Sequence, residues 1–473
     1  MAESTNERVD FGFQNANEGS VLATDDLAVN PALEDATLIL QLAPGMSVPY
    51  EYGGVESETA AYRSTASICT NLMISPIYDV IGSDAAALLE MCCINRFSNM
   101  GERSIRHAVL CNDEGQILTD GVVIRLAEDR FRTYWLNPPL QYYVESSLLD
   151  VKGENMSGKE YFIQVAGEKS LEILENAFCQ DLHDIEFATH RSIEADGRTI
   201  EVIRLGMTGG LAYEIHGPIE DYAKVYRMVW ASGKRFGAVK MGMHAYNMFC
   251  HTEGGFPNIG QHYPLPWFES GEDLALWLRK RPALANMNIN RMLKGSVGKE
   301  LGIRFMTPFD VGWDFLVNFD HDFRGKEALQ RLAANPPRQA VTLEWNADDV
   351  GAAYAALLTP GNLPLDDISK QADMPFMENS FNGYVTYRAD WVLSGESRVG
   401  ISAGRIISYN YRSMISLGFI DPAYAEEGTE LAILWGTPGT AQMRVRVTVR
   451  GVPYNADIVR NGEVDTKGIP RLG

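Results

Sequence analysis

The sequence has no apolar run of the length, about eighteen residues, that a membrane-spanning helix needs. Positive charge is scarce: 41 lysines and arginines stand against 62 aspartates and glutamates, giving a formal net charge of −21. A surface of that sign repels nucleic acid and anionic membranes, so neither is expected as a partner. A local basic pocket for a small anionic ligand remains compatible with it. The six cysteines form no C-x-x-C pair. Reduced core cysteines are expected, with no disulfide framework and no zinc clip. The first residues, MAESTNERVDFGFQNANEGS, lack the basic-then-apolar layout of a secretory signal. Its absence leads to the expectation of a cytoplasmic protein.

What is present suits a soluble protein with more than one core. The length of 473 residues exceeds what a single core fills. SDAAALLEMCC (83–93) has helical apolar spacing, and HAVLCNDEGQILTDGVVIRLAEDRFRTYWL (107–136) reads as three strands with turns at NDEGQ and AEDR. YFIQVAGEKSLEILENAF (161–178) reads as strand, glycine turn and helix, and IEDYAKVYRMVWASGKRFG (219–237) as an amphipathic helix. Strands joined by short turns, with helices interspersed, indicate an α+β class and not a doubly wound sheet. Beyond the Pro336–Pro337 pair the chain alternates with period two, as in MRVRVTVRGVPY, and a small β-barrel or sandwich is expected. The resulting division is a flexible segment over 1–30, an α+β body of two subdomains over 31–335, and a β-rich domain over 336–473.

RLGMTGGLAYEIHGP (204–218) concentrates four glycines. A phosphate loop needs G-x-x-x-x-G-K-[ST], and no lysine follows here. A dinucleotide loop must open a helix, whereas LAYEI alternates like a strand. The glycines therefore join two strands, as a tight hairpin needing positive φ. Glu214 stands on the strand that leaves it.

GMTGGLAYEI resembles the T-G-E-x-G-[FY]-E-I segment of the glycine cleavage T-protein (aminomethyltransferase) family. NDEGQILTDGVVI resembles that family's N-x-x-G-G-x-x-D-D segment, and TPFDVGWDFLVNFDHDFRGKEAL its T-P-x-E-x-G followed by D-F-x-G-[KR]-x-A-L. GTELAILWG is similar to its late G-T-x-L-x-V strand. The four occur in the family's order. Two more stretches, VTLEWNADDVGAAYAALL and MGMHAYNMFCHTEGGFPNIGQHYPLP, resemble the tetrahydrofolate-dependent aryl O-demethylases of the vanillate demethylase type. Enzymes that open the methylenedioxy ring of sesamin are relatives of these. The resemblance implies a three-domain cloverleaf with folate in a central channel and a C-terminal barrel-like domain.

It also implies roles for residues. Glu214 matches the glutamate set against the pterin, where a carboxylate accepts two parallel N–H donors. Asp120 matches the second of the paired aspartates, near the nucleophilic amine; Thr119 replaces the first. Tyr246 matches the demethylase tyrosine, a general acid to the departing phenolate with an ordinary pKa near 10. Asn112, Glu253, Phe256 and Tyr213 are further candidates for the cofactor. Tyr50, Tyr62 and His244 are candidates for the substrate side. His244, His251 and His262 lack metal-binding spacing, and no metal is expected.

Two departures bear on the substrate. The run CTNLMIS (69–75) lacks the histidine of the family's D-x-S-H-M segment. The position matching the arginine that holds a benzoate carboxylate falls on Leu136, which cannot pair with one. A neutral aryl ether, methoxy or methylenedioxy, is the expected substrate, with Leu72–Met73, Met241–Met248 and Tyr134–Trp135 as candidate pocket walls. The expected reaction passes a methyl or methylene group to N5 of tetrahydrofolate and releases a phenol or catechol. The alternatives are an aminomethyltransferase or N-demethylase acting on an amine, and a non-catalytic folate-binding relative.

Overall fold

A computed structural model describes residues 26–43, 46–281, 291–361, 365–373 and 385–471. Most of the segment expected to be flexible, 1–30, lies outside the described residues. Its last part is packed: Asn30 is buried, and the carbonyls of Leu27 and Ala28 accept from Arg227.

A hairpin of β1 (Leu38–Ala43) and β2 (Met46–Glu51) leads into helix α1 (Val55–Ser64) and strand β3 (Ser67–Cys69). There follow β4 (Ile77–Ile81), α2 (Ala85–Cys92), β5 (Ile105–Cys111), β6 (Ile117–Ala127), β7 (Arg130–Tyr134), α3 (Pro139–Ser146) and β8 (Lys152–Asn155). These strands make a five-stranded sheet in the order β5-β6-β7-β4-β8. Next come β9 (Glu160–Ala166), α4 (Ser170–Phe178), β10 (His190–Ala195), β11 (Arg198–Ile203), β12 (Ala212–Pro218), α5 (Tyr222–Arg235) and β13 (Val239–Lys240). With β3 they form a six-stranded sheet, β10-β11-β12-β9-β3-β13. The three strands expected over 107–136 are β5, β6 and β7, and the helices expected at 83–93 and 219–237 are α2 and α5.

The six-stranded sheet is covered on both faces, which explains why β9, EYFIQVA, is buried throughout. Helix α5 turns Tyr222, Val225, Tyr226 and Val229 inward, the spacing of one helical face. They join Ile163, Val165, Tyr213 and Ile215 in one core. Side chains alternate along a strand, so Gln164, Glu214 and His216 face the other way. On that side Ile203 and Leu205 meet Ile77, Ile105, Ile124 and Tyr134 of the five-stranded sheet.

After β14 (Arg291–Lys294) the chain enters a closed barrel. Its strands are β15 (Gln339–Trp345), β17 (Asp390–Ser394), β18 (Ser397–Ser408), β19 (Ser413–Ile420), β20 (Glu430–Trp435) and β21 (Met443–Arg450), while β16 (Val385–Arg388) pairs in parallel with β14. Val341, Leu343, Ile433, Trp435, Val445 and Val447 fill the barrel core in alternation. It begins just past Pro336–Pro337, but residues 336–473 are not a unit apart. The β14–β16 pair crosses the boundary, and the chain after the barrel returns to the body. Arg204 donates to the carbonyls of Asn461 and Val464, and the Gly210 amide donates to Val459 O at 2.7 Å. The class is α+β with a closed six-stranded barrel. Among the described residues no helix is long and apolar enough to cross a membrane.

Candidate active site

The connection from β11 to β12 is longer than a tight hairpin. Residues 204–211 form an open loop, and Ile203 pairs with Glu214 across it. Gly209 and Gly210 take φ of 81° and 84°, which favours glycine. At Gly209 a Cβ would lie 2.4 Å from Ile458, so the close approach here is made by the protein's own tail. From the other side, the Tyr62 hydroxyl bonds Thr208 and the Gly209 carbonyl.

Beyond this loop, register sets a polar row. Glu214 pairs with Gln164 of β9, and Gln164 with Cys69 of β3. Gln164 Nε2 donates to the Tyr246 hydroxyl at 3.2 Å. Tyr246 lies in a π-helix, Ala245–Cys250, a distortion frequent at functional sites. Its phenol is enclosed. Burial, the nearby Cys69 and Tyr62, and Glu214 push its pKa well above 10, against the hydrogen bond from Gln164. It is thus a weaker acid than a free phenol. Among the described residues no protein hydrogen bond reaches the Glu214 carboxylate. His216 Nε2 lies 3.7 Å from its Oε2, beyond hydrogen-bond length. Burial opposes a charge on His216, but its close side-chain contacts with Glu160 and Glu214, and the charges of both carboxylates, win and raise its pKa to about 9.

Asp120 lies on β6 of the five-stranded sheet. Its Oδ2 lies 2.9 Å from His107 Nε2, and Tyr263 donates to its Oδ1 at 3.3 Å. The following Gly121 is required by packing, since a Cβ there would fall 1.9 Å from Tyr134 O. His107 sets its ring edge-on to Trp313 at 4.7 Å, and Phe256 lies 5.2 Å from Trp313. These three aromatic groups line a cavity of about 1170 Å³, with Arg96, Arg106 and Arg460 also on its wall. His251 joins the two sides, edge-on to Tyr246 at 5.3 Å and to Phe256 at 5.8 Å. Burial holds His251 down at about 4, so its ring is neutral at working pH.

Several candidates have other employment. Tyr213 points to the opposite face of the sheet from Glu214 and packs in the core under α4 and α5. Asn112 is enclosed in its own turn: Oδ1 accepts from the amides of Glu114 and Gln116, while Nδ2 donates to Gln116 and Ser270. Glu253 accepts from Ser408 at 2.6 Å and Asn410 at 3.0 Å, with Arg63 3.5 Å away, so it clamps the barrel to α1. Leu136 has no exposed surface and belongs to the core beside Leu140 and Val144. Tyr50 is buried and stacks on His244 at 5.0 Å; among the described residues neither ring nitrogen of His244 has a hydrogen-bond partner, Glu51 Oε2 lying 3.7 Å from Nδ1. Met73, Met241, Met248 and Tyr134 are core residues, while Leu72 and Trp135 keep some exposed surface.

Gln164, His216 and His107 are participants that sequence reading did not single out. A polar residue inside the apolar run YFIQVAG was a visible signal for Gln164. His216 shares a strand face with Glu214, two positions on, which period two alone discloses. Nothing local marks His107, whose partner comes from the neighbouring strand.

Residues 35–264 match the family described as GCVT N-terminal domain. Sesamin methylene transferase of Sinomonas sp. (strain No.22) is 51% identical over 429 residues, covering 90% of this chain and 94% of that protein. Syringate O-demethylase of Sphingobium sp. (strain NBRC 103272 / SYK-6) is 30% identical over 448 residues, covering 89% and 92%. In fold, the chain is similar to the glycine cleavage system aminomethyltransferase T from Bartonella henselae, with TM-score 0.64 at 16% identity, covering 92% of this chain and 98% of that one.

Proposed function

The chain belongs to the GCVT family of aminomethyltransferase-like enzymes, and from that premise we propose that it transfers a one-carbon group from an aryl ether to tetrahydrofolate. The observation that carries the reading is the row Glu214–Gln164–Tyr246, which sets a carboxylate with no hydrogen bond among the described residues beside a buried phenol. A pterin fits that carboxylate, because its 2-amino and N3–H groups are parallel donors and Glu214 has both oxygens uncommitted. Phe256 and Trp313 offer aromatic faces to the aminobenzoyl ring, and Arg96, Arg106 and Arg460 offer cations to the glutamate tail. When bound, tetrahydrofolate supplies the N5 nucleophile that accepts the carbon.

The protein's own part is positioning and proton supply. Holding the nucleophile against the ether carbon replaces a bimolecular encounter with a local one. Asp120, fixed by His107 and Tyr263, is placed to orient an amine. Gln164 donates to the Tyr246 oxygen, so the phenolic hydrogen is directed elsewhere, toward the departing ether oxygen. The raised pKa keeps that hydrogen in place across the working range. Tyr246 then stabilises the developing phenolate by a hydrogen bond that strengthens as charge builds.

The substrate we assign is neutral. Both arginines of β7 are committed: Arg130 to Asp79, and Arg132 to Asp79 and Glu160. Leu136 lies in the core, and Leu72 and Trp135 supply apolar surface. A benzoate would bring a carboxylate with no partner from this strand. Incubation with tetrahydrofolate and a panel of methoxy aromatics, methylenedioxy aromatics and N-methyl amines, with the folate product identified by mass, tests both statements. Neutral ethers giving methyl or methylene folate plus phenol or catechol is the expected result. Turnover of amines alone would overturn the reaction assigned. Faster turnover of vanillate or syringate than of neutral ethers would overturn the neutral substrate.

A further inference from the structure

We propose that His216 is a positioning residue: charged and gripped by Glu160, it tethers the Glu214 carboxylate by attraction alone and so leaves both of its oxygens for donors on a ligand. The inference rests on the reading of Glu214 as the residue that meets the cofactor ring, and deepens it.

The three groups lie on one face of the six-stranded sheet. His216 follows Glu214 by two positions on β12, and Glu160 starts the neighbouring strand β9. His216 Nδ1 is 2.7 Å from Glu160 Oε1 and 2.9 Å from the Tyr134 hydroxyl, while Nε2 is 3.7 Å from Glu214 Oε2 and makes no hydrogen bond among the described residues. Phe162 covers the ring at a centroid distance of 4.2 Å, and Tyr134 meets it edge-on at 5.2 Å. The imidazole therefore has one well-held position.

Its charge is set by what surrounds it. From β7, the Tyr134 hydroxyl donates to Glu160 Oε1 at 2.7 Å and Arg132 reaches Glu160 Oε2 at 2.5 Å. From β4, Asp79 accepts from Arg132 at 2.8 Å and also pairs with Arg130. Glu154 of β8 stands 3.7 Å from Arg130 at the outer end. On β11, Glu201 is opposite His216 in register but is committed to His190 at 2.6 Å and Ser192 at 2.5 Å. Within the row, the carboxylates of Asp79, Glu160 and Glu214 are matched by the cations Arg130, Arg132 and His216. A neutral imidazole would leave a negative charge unbalanced in the interior.

A hydrogen bond from His216 would occupy one Glu214 oxygen and fix its direction. An attraction across 3.7 Å holds the carboxylate in place while leaving its lone pairs available. This is an arrangement for a ligand that brings two donors of its own.

The first test is the titration of ¹⁵N-labelled His216 by NMR in the folate-free protein. It should titrate near 9 in the native chain and below about 7.5 in Glu160→Gln. A native value near the ordinary 6.5 overturns the proposal. If Glu160→Gln does not fold, Tyr134→Phe should lower the same titration by a smaller step, and no change overturns the proposal. The second test is tetrahydrofolate affinity against pH. Native affinity should be flat from about pH 6 to 8 and weaken above about 9 as the imidazolium is lost. His216→Gln should bind about tenfold more weakly at neutral pH, with that alkaline loss removed, and the defect should appear in KM more than in kcat. An alkaline loss retained in His216→Gln overturns the tether. A native protein that binds no tetrahydrofolate at any pH overturns the reading of Glu214 instead, and the NMR titration then decides the tether alone.

Discussion

The two candidate carboxylates, Glu214 and Asp120, are held in opposite ways. Glu214 accepts no protein hydrogen bond among the described residues and is steadied by a charge 3.7 Å away. Asp120 is fully engaged, with His107 at 2.9 Å and Tyr263 at 3.3 Å. The first arrangement suits recognition, because uncommitted acceptors are costly to bury and gain most from a ligand's donors. The second suits orientation, because a carboxylate that is already bonded keeps its direction whether or not a ligand is present. Tyr246 shares the first environment through Gln164 and borders the second through His251.

Substitutions can break the contrast. The largest effect belongs to Tyr246→Phe, which removes the hydrogen directed at the leaving oxygen. The kcat should fall about 100- to 1000-fold with folate affinity changed less than about twofold. Equal rates would take the tyrosine out of the reaction. Glu214→Ala should weaken tetrahydrofolate binding by about 100-fold, read by calorimetry, since two charge-assisted hydrogen bonds are lost. Asp120→Asn keeps an oxygen for Tyr263 and should cost only about tenfold in kcat/KM, with a small change in affinity. A loss in binding as large as that of Glu214→Ala would erase the distinction between the two carboxylates.

Stability offers smaller but independent measurements. The His216 pKa is raised from 6.5 to about 9, so its contribution is fully present below about 6.5 and is lost as pH rises through about 9. That difference is on the order of 3 kcal/mol, and denaturant unfolding across this window should show it in the native chain and not in His216→Gln. Glu253→Gln should lower the melting temperature by a few degrees and leave folate affinity unchanged, because its partners Ser408 and Asn410 belong to the barrel side. Lost affinity in a folded Glu253→Gln protein would return the glutamate to the binding site.

Period-two alternation made β5 to β7, β11, β12 and most of the barrel legible in the sequence. The same alternation puts Tyr213 and Glu214 on opposite faces, so their separation was legible in the sequence. Asn112 sits in a turn whose amides it caps, and side-chain capping of a turn is a local rule as well. Glu253 is different. Its hydrogen-bond partners lie 155 and 157 positions away in sequence, and no local pattern announces a clamp of that kind. Gln164 and Tyr246 are 82 positions apart and meet only because β13, which leads toward the π-helix, pairs with β3, and β3 pairs with β9. The sequence pattern thus discloses which strands form and which residues share a face. Tertiary register discloses which of those faces meet.

The tail that crosses the glycine loop also sets a timetable for synthesis. Asn461 ties down both ends of that loop, accepting from Arg204 and donating to Ala212 O at 2.9 Å, and Val459 O receives the Gly210 amide. Ile458, Val464 and Thr466 of the same tail also meet the loop, whereas its partners Tyr62, Arg63, Gly167, Ala188 and Thr189 are made long before, so the two sheets and most of the barrel can form first. The loop reaches its final shape only when residues 458–466 arrive, so the nascent chain carries an unfinished cavity wall until that segment has been made.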